Sequence, residues 1–128
     1  MSDAASHLDL LAIARRVRGA VEHDDTEGLH AELTRLRTAV MGHVHAERAQ
    51  LVALPDSAAA VALDGQRRLL RLLTDALFDP ADRGGDDCNC VVRAAEIELT
   101  VRRQAKLEAV LLRRHPTAAR AMNPTAGG

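Results

Sequence analysis

Residues 29–47 read LHAELTRLRTAVMGHVHAE, and the spacing of side chains in this stretch decides the fold. Six positions recur at alternating intervals of four and three residues: Leu29, Leu33, Leu36, Val40, His43 and Glu47. That spacing places them along one face of a helix and is typical of the apolar seam of a helical bundle. The last two members are polar, so the seam changes character near its end.

Three further segments repeat this rhythm, separated by polar or proline- and glycine-containing turns at 23–26, 54–57 and 79–87. Their seams comprise His7, Leu10, Ala14, Val17 and Val21; Leu63, Gln66, Leu70, Leu73 and Leu77; and Ala94, Ile97, Val101, Gln104, Glu108 and Leu111. Because short connections favour antiparallel neighbours, we predict an all-α protein. The expected architecture is an antiparallel, up-down-up-down four-helix bundle over residues 1–116, followed by a flexible C-terminal tail at 117–128.

Candidate helix caps and cysteines refine this outline. Asp25 or Thr26 is placed to cap the second helix, and Ser57 the third.

Two cysteines, Cys88 and Cys90, are too few and too close for a disulfide framework, so we expect a cytoplasmic, reducing location.

The composition of the chain narrows its function class. Apolar residues make up 47% and charged residues 27%, which is the balance of a folded globular domain. The formal net charge is −1 and Phe78 is the single residue among Phe, Trp and Tyr, so we expect no nucleic-acid surface. The sequence has no run of about 18 apolar residues, so we expect no membrane span.

Polar residues interrupt all four seams at a similar height. They are His7, His43 with Glu47, Gln66, and Gln104 with Glu108. Counted at about 1.5 Å per residue from the turns, they fall in one layer near the Pro55 end of the bundle. A lone buried carboxylate costs several kcal/mol unless it pairs, takes up a proton or coordinates a metal. Imidazole with carboxylate suits iron, manganese or zinc. The candidate metal ligands are the histidines and glutamates of the layer: His7, His43, Glu47 and Glu108.

The same layer contains a run that resembles a known family. Residues 43–55, HVHAERAQLVALP, are similar to the H-x-x-x-E…L-x-x-L-P signature of hemerythrin-like (HHE cation-binding) domains. In that family the signature closes the second helix of a four-helix bundle, and His7 is placed for an earlier histidine on the first helix. The resemblance covers roughly residues 5–116 and implies a hemerythrin-like fold.

The third and fourth helices depart from the family's pattern. Residues 65–73, GQRRLLRLL, resemble its E-H-R-R-L-L segment with Gln66 in place of histidine. Residues 104–112, QAKLEAVLL, resemble a second H-x-x-x-E with Gln104 in place of histidine. Since the family's di-iron centre takes three histidines from these two helices, the resemblance implies a reduced site here. Gln66 and Gln104 are expected to serve the cofactor as hydrogen-bond partners that orient a carboxylate or a bound water.

The resemblance and the polar layer together predict the cofactor and the function. We expect one non-heme iron ion per chain, with manganese or zinc as other suitable ions. The function that the resemblance implies is binding or sensing of dioxygen, nitric oxide or redox state. The expected partners are therefore a metal ion and a diatomic ligand, with no catalytic residues assigned.

Two other interpretations fit the same residues. In the first, the bundle binds no metal, Gln–Glu–His hydrogen bonds close a degenerate site, and the protein acts as a protein-interaction or regulatory module. In the second, an open metal position serves an enzyme acting on peroxide or nitric oxide, although the sequence supplies no separate general base. The motif Cys88-Asn89-Cys90 adds either a redox-active pair or two ordinary thiols.

Overall fold

The computed structural model describes residues 6–78 and 87–120, which are helical apart from short turns. Four long helices precede a short one: α1 (His7–Glu22), α2 (Thr26–Val52), α3 (Asp56–Phe78), α4 (Asp87–Arg114) and α5 (Pro116–Arg120). Strands are absent from these two ranges, which confirms the prediction of an all-α chain with four long helices. Within the same ranges, no helix combines the length and the apolar character needed to cross a membrane.

Each long helix packs against two others, an arrangement compatible with a helical bundle. Helix α1 contacts α2 and α4, and α3 contacts the same two helices. The main core consists of Leu10, Ile13, Ala14, Val17, Leu33, Leu36, Val40, Leu69, Leu73, Ala94, Ile97 and Val101. Most of these residues belong to the predicted seams, so the heptad-like spacing located the buried faces of α1, α2 and α4.

The buried face of α3 lies one residue away from the predicted one in part of the helix. Ala62 and Leu69 are buried, whereas Leu63 and Leu70 are only partly buried. The leucine-rich run from 69 to 73 places leucines on two adjacent faces, so spacing alone does not select between them.

Side-chain caps set the starts of α1 and α2. Ser6 and Asp9 form a capping box in which the Ser6 hydroxyl accepts from the Asp9 amide and the Asp9 carboxylate accepts from the Ser6 amide. Asp25 caps α2 by accepting from the amide of Gly28 at 2.9 Å, in agreement with the first of the two predicted caps. The prediction that Ser57 caps α3 is wrong, because α3 already begins at Asp56.

A second, smaller core closes the bundle beyond the polar layer. It contains Leu51, Leu54, Ala62 and Ala118. The buried Gln50 donates its side-chain amide to the carbonyl oxygen of Ala119 at 2.7 Å. Residues 117–120, assigned to the tail by the sequence analysis, therefore belong to α5 and pack on α2 and α4.

Two sequence predictions fall partly or wholly outside the described part of the chain. The tail beyond α5, residues 121–128, lies outside it. Cys88 and Cys90 lie in the first turn of α4. The prediction about their thiols concerns their side chains, which lie outside what the structure describes at these two positions.

Candidate metal centre

The structure brings the four predicted ligand residues together from three helices. His7 is the first residue of α1, His43 and Glu47 are one turn apart on α2, and Glu108 lies on α4. One ligand atom from each lies within 4.8 Å of every other. The side chain of Glu108 is fully buried, those of His43 and Glu47 are 10% and 12% exposed, and that of His7 is 30% exposed. The cluster is thus an interior one, reached from solvent on the His7 side.

Four distances within the cluster are close to those expected around a single ion, and the distance from Nε2 of His7 to Oε2 of Glu47 is longer, at 4.0 Å. The two Nε2 atoms of His7 and His43 are 2.9 Å apart, and Nε2 of His7 is 3.0 Å from Oε1 of Glu108. Nε2 of His43 is 2.8 Å from Oε1 of Glu47 and 3.4 Å from Oε1 of Glu108. Ligands held about 2.0–2.2 Å from one ion lie about 3 Å apart at right angles and about 3.4 Å apart at tetrahedral angles. These side chains therefore have the geometry to share one cation.

Hydrogen bonds alone cannot satisfy all of these contacts. A ring nitrogen carries at most one hydrogen, yet Nε2 of His43 faces the imidazole of His7 and two carboxylates. Oε1 of Glu47 is buried 2.8 Å from Nε2 of His43, a contact that is not aligned as a hydrogen bond. A buried acceptor without a donor is costly. A cation among the four side chains would accept one lone pair from a ligand atom of each of them.

Gln66 and Gln104 fix the orientation of the Glu108 carboxylate. Both donate their side-chain amides to Oε2 of Glu108, at 3.0 and 2.5 Å respectively. The amide of Gln104 also donates to the carbonyl oxygen of Ala62 at 3.0 Å, so both of its hydrogens are used. With Oε2 held by two amides, Oε1 faces the two imidazoles as a single available ligand atom.

The two carboxylates of the cluster are in opposite electrostatic situations. Burial acts to raise the pKa of Glu108, but hydrogen bonds with His43, His7, Glu47 and Gln104 outweigh it and hold that pKa well below its usual range. Burial raises the pKa of Glu47, contact with His43 opposes this, and the neighbouring Glu108 reinforces it. In the metal-free protein Glu108 is therefore the more readily ionised of the two.

A small cavity adjoins the cluster. Its polar lining includes His7, His43 and Glu108, and its apolar lining includes Leu10 and Val40. The cavity volume of about 10 Å³ is of the size that holds one water-sized species.

Two features of the site were not predicted from the sequence. The Ala62 carbonyl anchors Gln104, and Gly65 lies directly against the Gln104 amide. An isolated glycine inside a helical pattern, next to a polar seam residue such as Gln66, is the signal that could have indicated this close approach. The exposed His45 lies outside the cluster, in agreement with its position off the seam.

Comparison of the chain with protein-family models, curated proteins and solved structures gives no match. The resemblance to hemerythrin-like domains therefore stays a prediction that rests on the quoted runs in α2, α3 and α4.

Proposed function

We propose that the chain is a hemerythrin-like metal-binding protein, in which an antiparallel, up-down-up-down four-helix bundle holds one non-heme ion. The observation that carries this proposal is the convergence of four buried or partly buried ligand atoms, from His7, His43, Glu47 and Glu108. A set of two imidazoles and two carboxylates suits iron, and also manganese and zinc. The resemblance of residues 43–55 to the family signature favours iron.

The state of Glu108 supports one ion and not two. A carboxylate that bridges two ions needs a free oxygen for each, whereas Oε2 of Glu108 already accepts from Gln66 and Gln104. These amides occupy the side of Glu108 that faces α3.

The proposed role of the ion is to bind or sense dioxygen, nitric oxide or redox state. Two imidazoles and two carboxylates leave one or two coordination positions for a water or a diatomic ligand. The small cavity beside His7, His43 and Glu108 has room for one water-sized ligand. When bound, the ion would supply the redox chemistry and the contact with the ligand. The protein residues would hold it, and apolar neighbours such as Leu10 and Val40 would keep bulk water away.

Anaerobic titration of metal-stripped protein with Fe²⁺, Mn²⁺ and Zn²⁺ tests the proposal. We expect binding of one ion per chain, and we expect His43→Ala to abolish it, because His43 contacts every other member of the cluster. His45→Ala is the matched control, since this exposed histidine lies two residues away on the same helix. Absence of binding, or binding that survives His43→Ala, would contradict the proposal. Two irons per chain with an oxo-bridge absorption would show that other residues complete a second site.

The metal-free interaction module is a second candidate, which the hydrogen bonds from Gln66 and Gln104 to Glu108 favour. The buried Oε1 of Glu47, whose 2.8 Å contact with Nε2 of His43 is not aligned as a hydrogen bond, weighs against it. A ligand that binds only the folded state raises the unfolding midpoint. A midpoint that Fe²⁺, Mn²⁺ and Zn²⁺ all leave unchanged would therefore favour the metal-free candidate.

A further inference from the structure

Among the glycines of the described helices, Gly65 on α3 is the one whose Cβ position is occupied by a side chain of another helix. A Cβ added at Gly65 would lie 2.9 Å from Cδ and 3.3 Å from Nε2 of Gln104, and closer still to its Oε1. Gly19 and Gly42, also inside helices, have nothing within 4 Å of such a Cβ. The close approach is thus a particular feature of Gly65 and Gln104.

The side chain that fills this space links α3 to the candidate metal centre. Gln104 is 8% exposed and uses its two amide hydrogens on Ala62 and Glu108. Ala62 lies three residues before Gly65, on the same face of α3. Gln104 therefore lies in a notch on α3, is anchored there by a backbone carbonyl, and from that position holds Oε2 of Glu108.

We propose that Gly65 is a positioning residue for the metal centre, because its lack of a side chain lets Gln104 lie between α3 and Glu108. The inference rests on the proposed function: through Gln104, Gly65 helps to determine which oxygen of Glu108 faces the imidazoles. Gly65 is neither a member of the His/Glu cluster nor a lining residue of the cavity, and it acts through Gln104, which does line the cavity.

Substitution of Gly65 by alanine should act on the Gln104 amide and not on the helix backbone. The atoms that a Cβ would meet are the end of a flexible side chain, so α3 can keep its place while Gln104 moves away. Gln104 then loses its bonds to Ala62 and Glu108, and Gln66 alone restrains the carboxylate. Loss of a hydrogen-bond partner of a metal ligand typically weakens metal affinity by about 10–100-fold.

The experiment compares Gly65→Ala with the matched control Gly19→Ala in the full chain. The measurements are the Zn²⁺ affinity and the absorption spectrum of the Co²⁺-loaded protein, which reports the ligands around the ion. We expect Gly65→Ala to weaken Zn²⁺ binding about tenfold or more and to change the Co²⁺ spectrum. Gly19→Ala should leave both unchanged. An unchanged affinity and spectrum in Gly65→Ala would overturn the inference.

Repeating the substitution in the Gln104→Ala variant separates a positioning role of Gly65 from a merely structural one. In Gln104→Ala protein, Gly65→Ala should have no further effect on affinity or spectrum, because the side chain it displaces is gone. An effect of the same size in both backgrounds would overturn the inference.

If the wild-type chain binds no ion, the proposed function fails, and the metal-free protein still tests the Gly65 contact. Relative to Gly19→Ala, Gly65→Ala should then lower the unfolding midpoint only while Gln104 is present. Equal shifts of the midpoint in both backgrounds would overturn the contact as well.

Discussion

At the scale of single residues, the ionised carboxylates of Glu47 and Glu108 have opposite effects on the stability of the fold. The lowered pKa of Glu108 means that its ionised form stabilises the fold, whereas the raised pKa of Glu47 means that its ionised form is disfavoured there. Glu108 is held by amides and imidazoles, while Oε1 of Glu47 has a short contact with His43 that is not aligned as a hydrogen bond. Glu47 is therefore the carboxyl group of the cluster whose charged form folding opposes.

Replacing Glu47 by glutamine should stabilise the metal-free protein at pH 7 while abolishing ion binding. The amide removes a carboxylate whose charged form folding disfavours, and a single stabilising substitution commonly adds about 0.5–2 kcal/mol. Urea unfolding of metal-stripped protein, together with a Zn²⁺ titration, measures both effects. Loss of stability in Glu47→Gln would show that the carboxylate has a structural role.

Glu108→Gln should weaken the dependence of the unfolding free energy on pH in the acidic range. The usual pKa of 4.5 applies to the unfolded chain, while the folded pKa is lower. The contribution of Glu108 is thus fully present above pH 4.5 and is lost as the pH falls below it. Unfolding free energies of metal-free protein between about pH 3 and pH 5 should rise less steeply with pH in the variant. Equal slopes in the two proteins would contradict the lowered pKa.

At the scale of helices, spacing predicted the four long helices and most of their buried residues, and contacts between helices explain the buried positions that it missed. The alternating intervals of α2 identified Leu36 and Val40 as core residues and placed His43 and Glu47 on the same face. Such a pattern follows from a single helix and needs no knowledge of its neighbours. The buried face of α3 and the notch at Gly65 depend on how α3 meets α4, and one helix's spacing does not contain that information.

Ser6→Ala and Asp25→Ala should cost similar stability but differ in their effect on ion binding. Each removes the side-chain cap of one helix, worth about 1 kcal/mol. Only Ser6 begins the helix whose first residue is His7, so fraying there displaces a candidate ligand. Thermal unfolding with Zn²⁺ titration compares the two variants. A loss of affinity in Asp25→Ala equal to that in Ser6→Ala would contradict this role of the α1 cap.

At the scale of the whole molecule, the polar layer divides the interior into two apolar parts. Along α2, the main core at Leu36 and Val40 gives way to the cluster, and Leu51 then begins the smaller core. Along α4, Val101 precedes Glu108 in the same way. Because the cluster contributes little apolar burial, the stability of the fold depends on the leucine-rich regions on either side.

Leu36→Ala and Leu73→Ala should each cost about 2–5 kcal/mol of unfolding free energy, as truncations in a packed core do. Both side chains are 0% exposed. Leu8→Ala is the control, since Leu8 is 78% exposed and its loss should cost less than about 0.5 kcal/mol. Chemical denaturation of metal-free protein measures all three. Similar small losses at the three positions would contradict the helix packing.

The contact between His7 and Glu108 joins positions 101 residues apart in the chain. During synthesis His7, His43 and Glu47 leave the ribosome well before Glu108. The helices α1 and α2 are therefore made before the residue that completes the cluster. A growing polypeptide that ends before α4 holds only part of the set. Under the proposed function, the complete set of ligands is therefore available to an ion only after α4 has been synthesised.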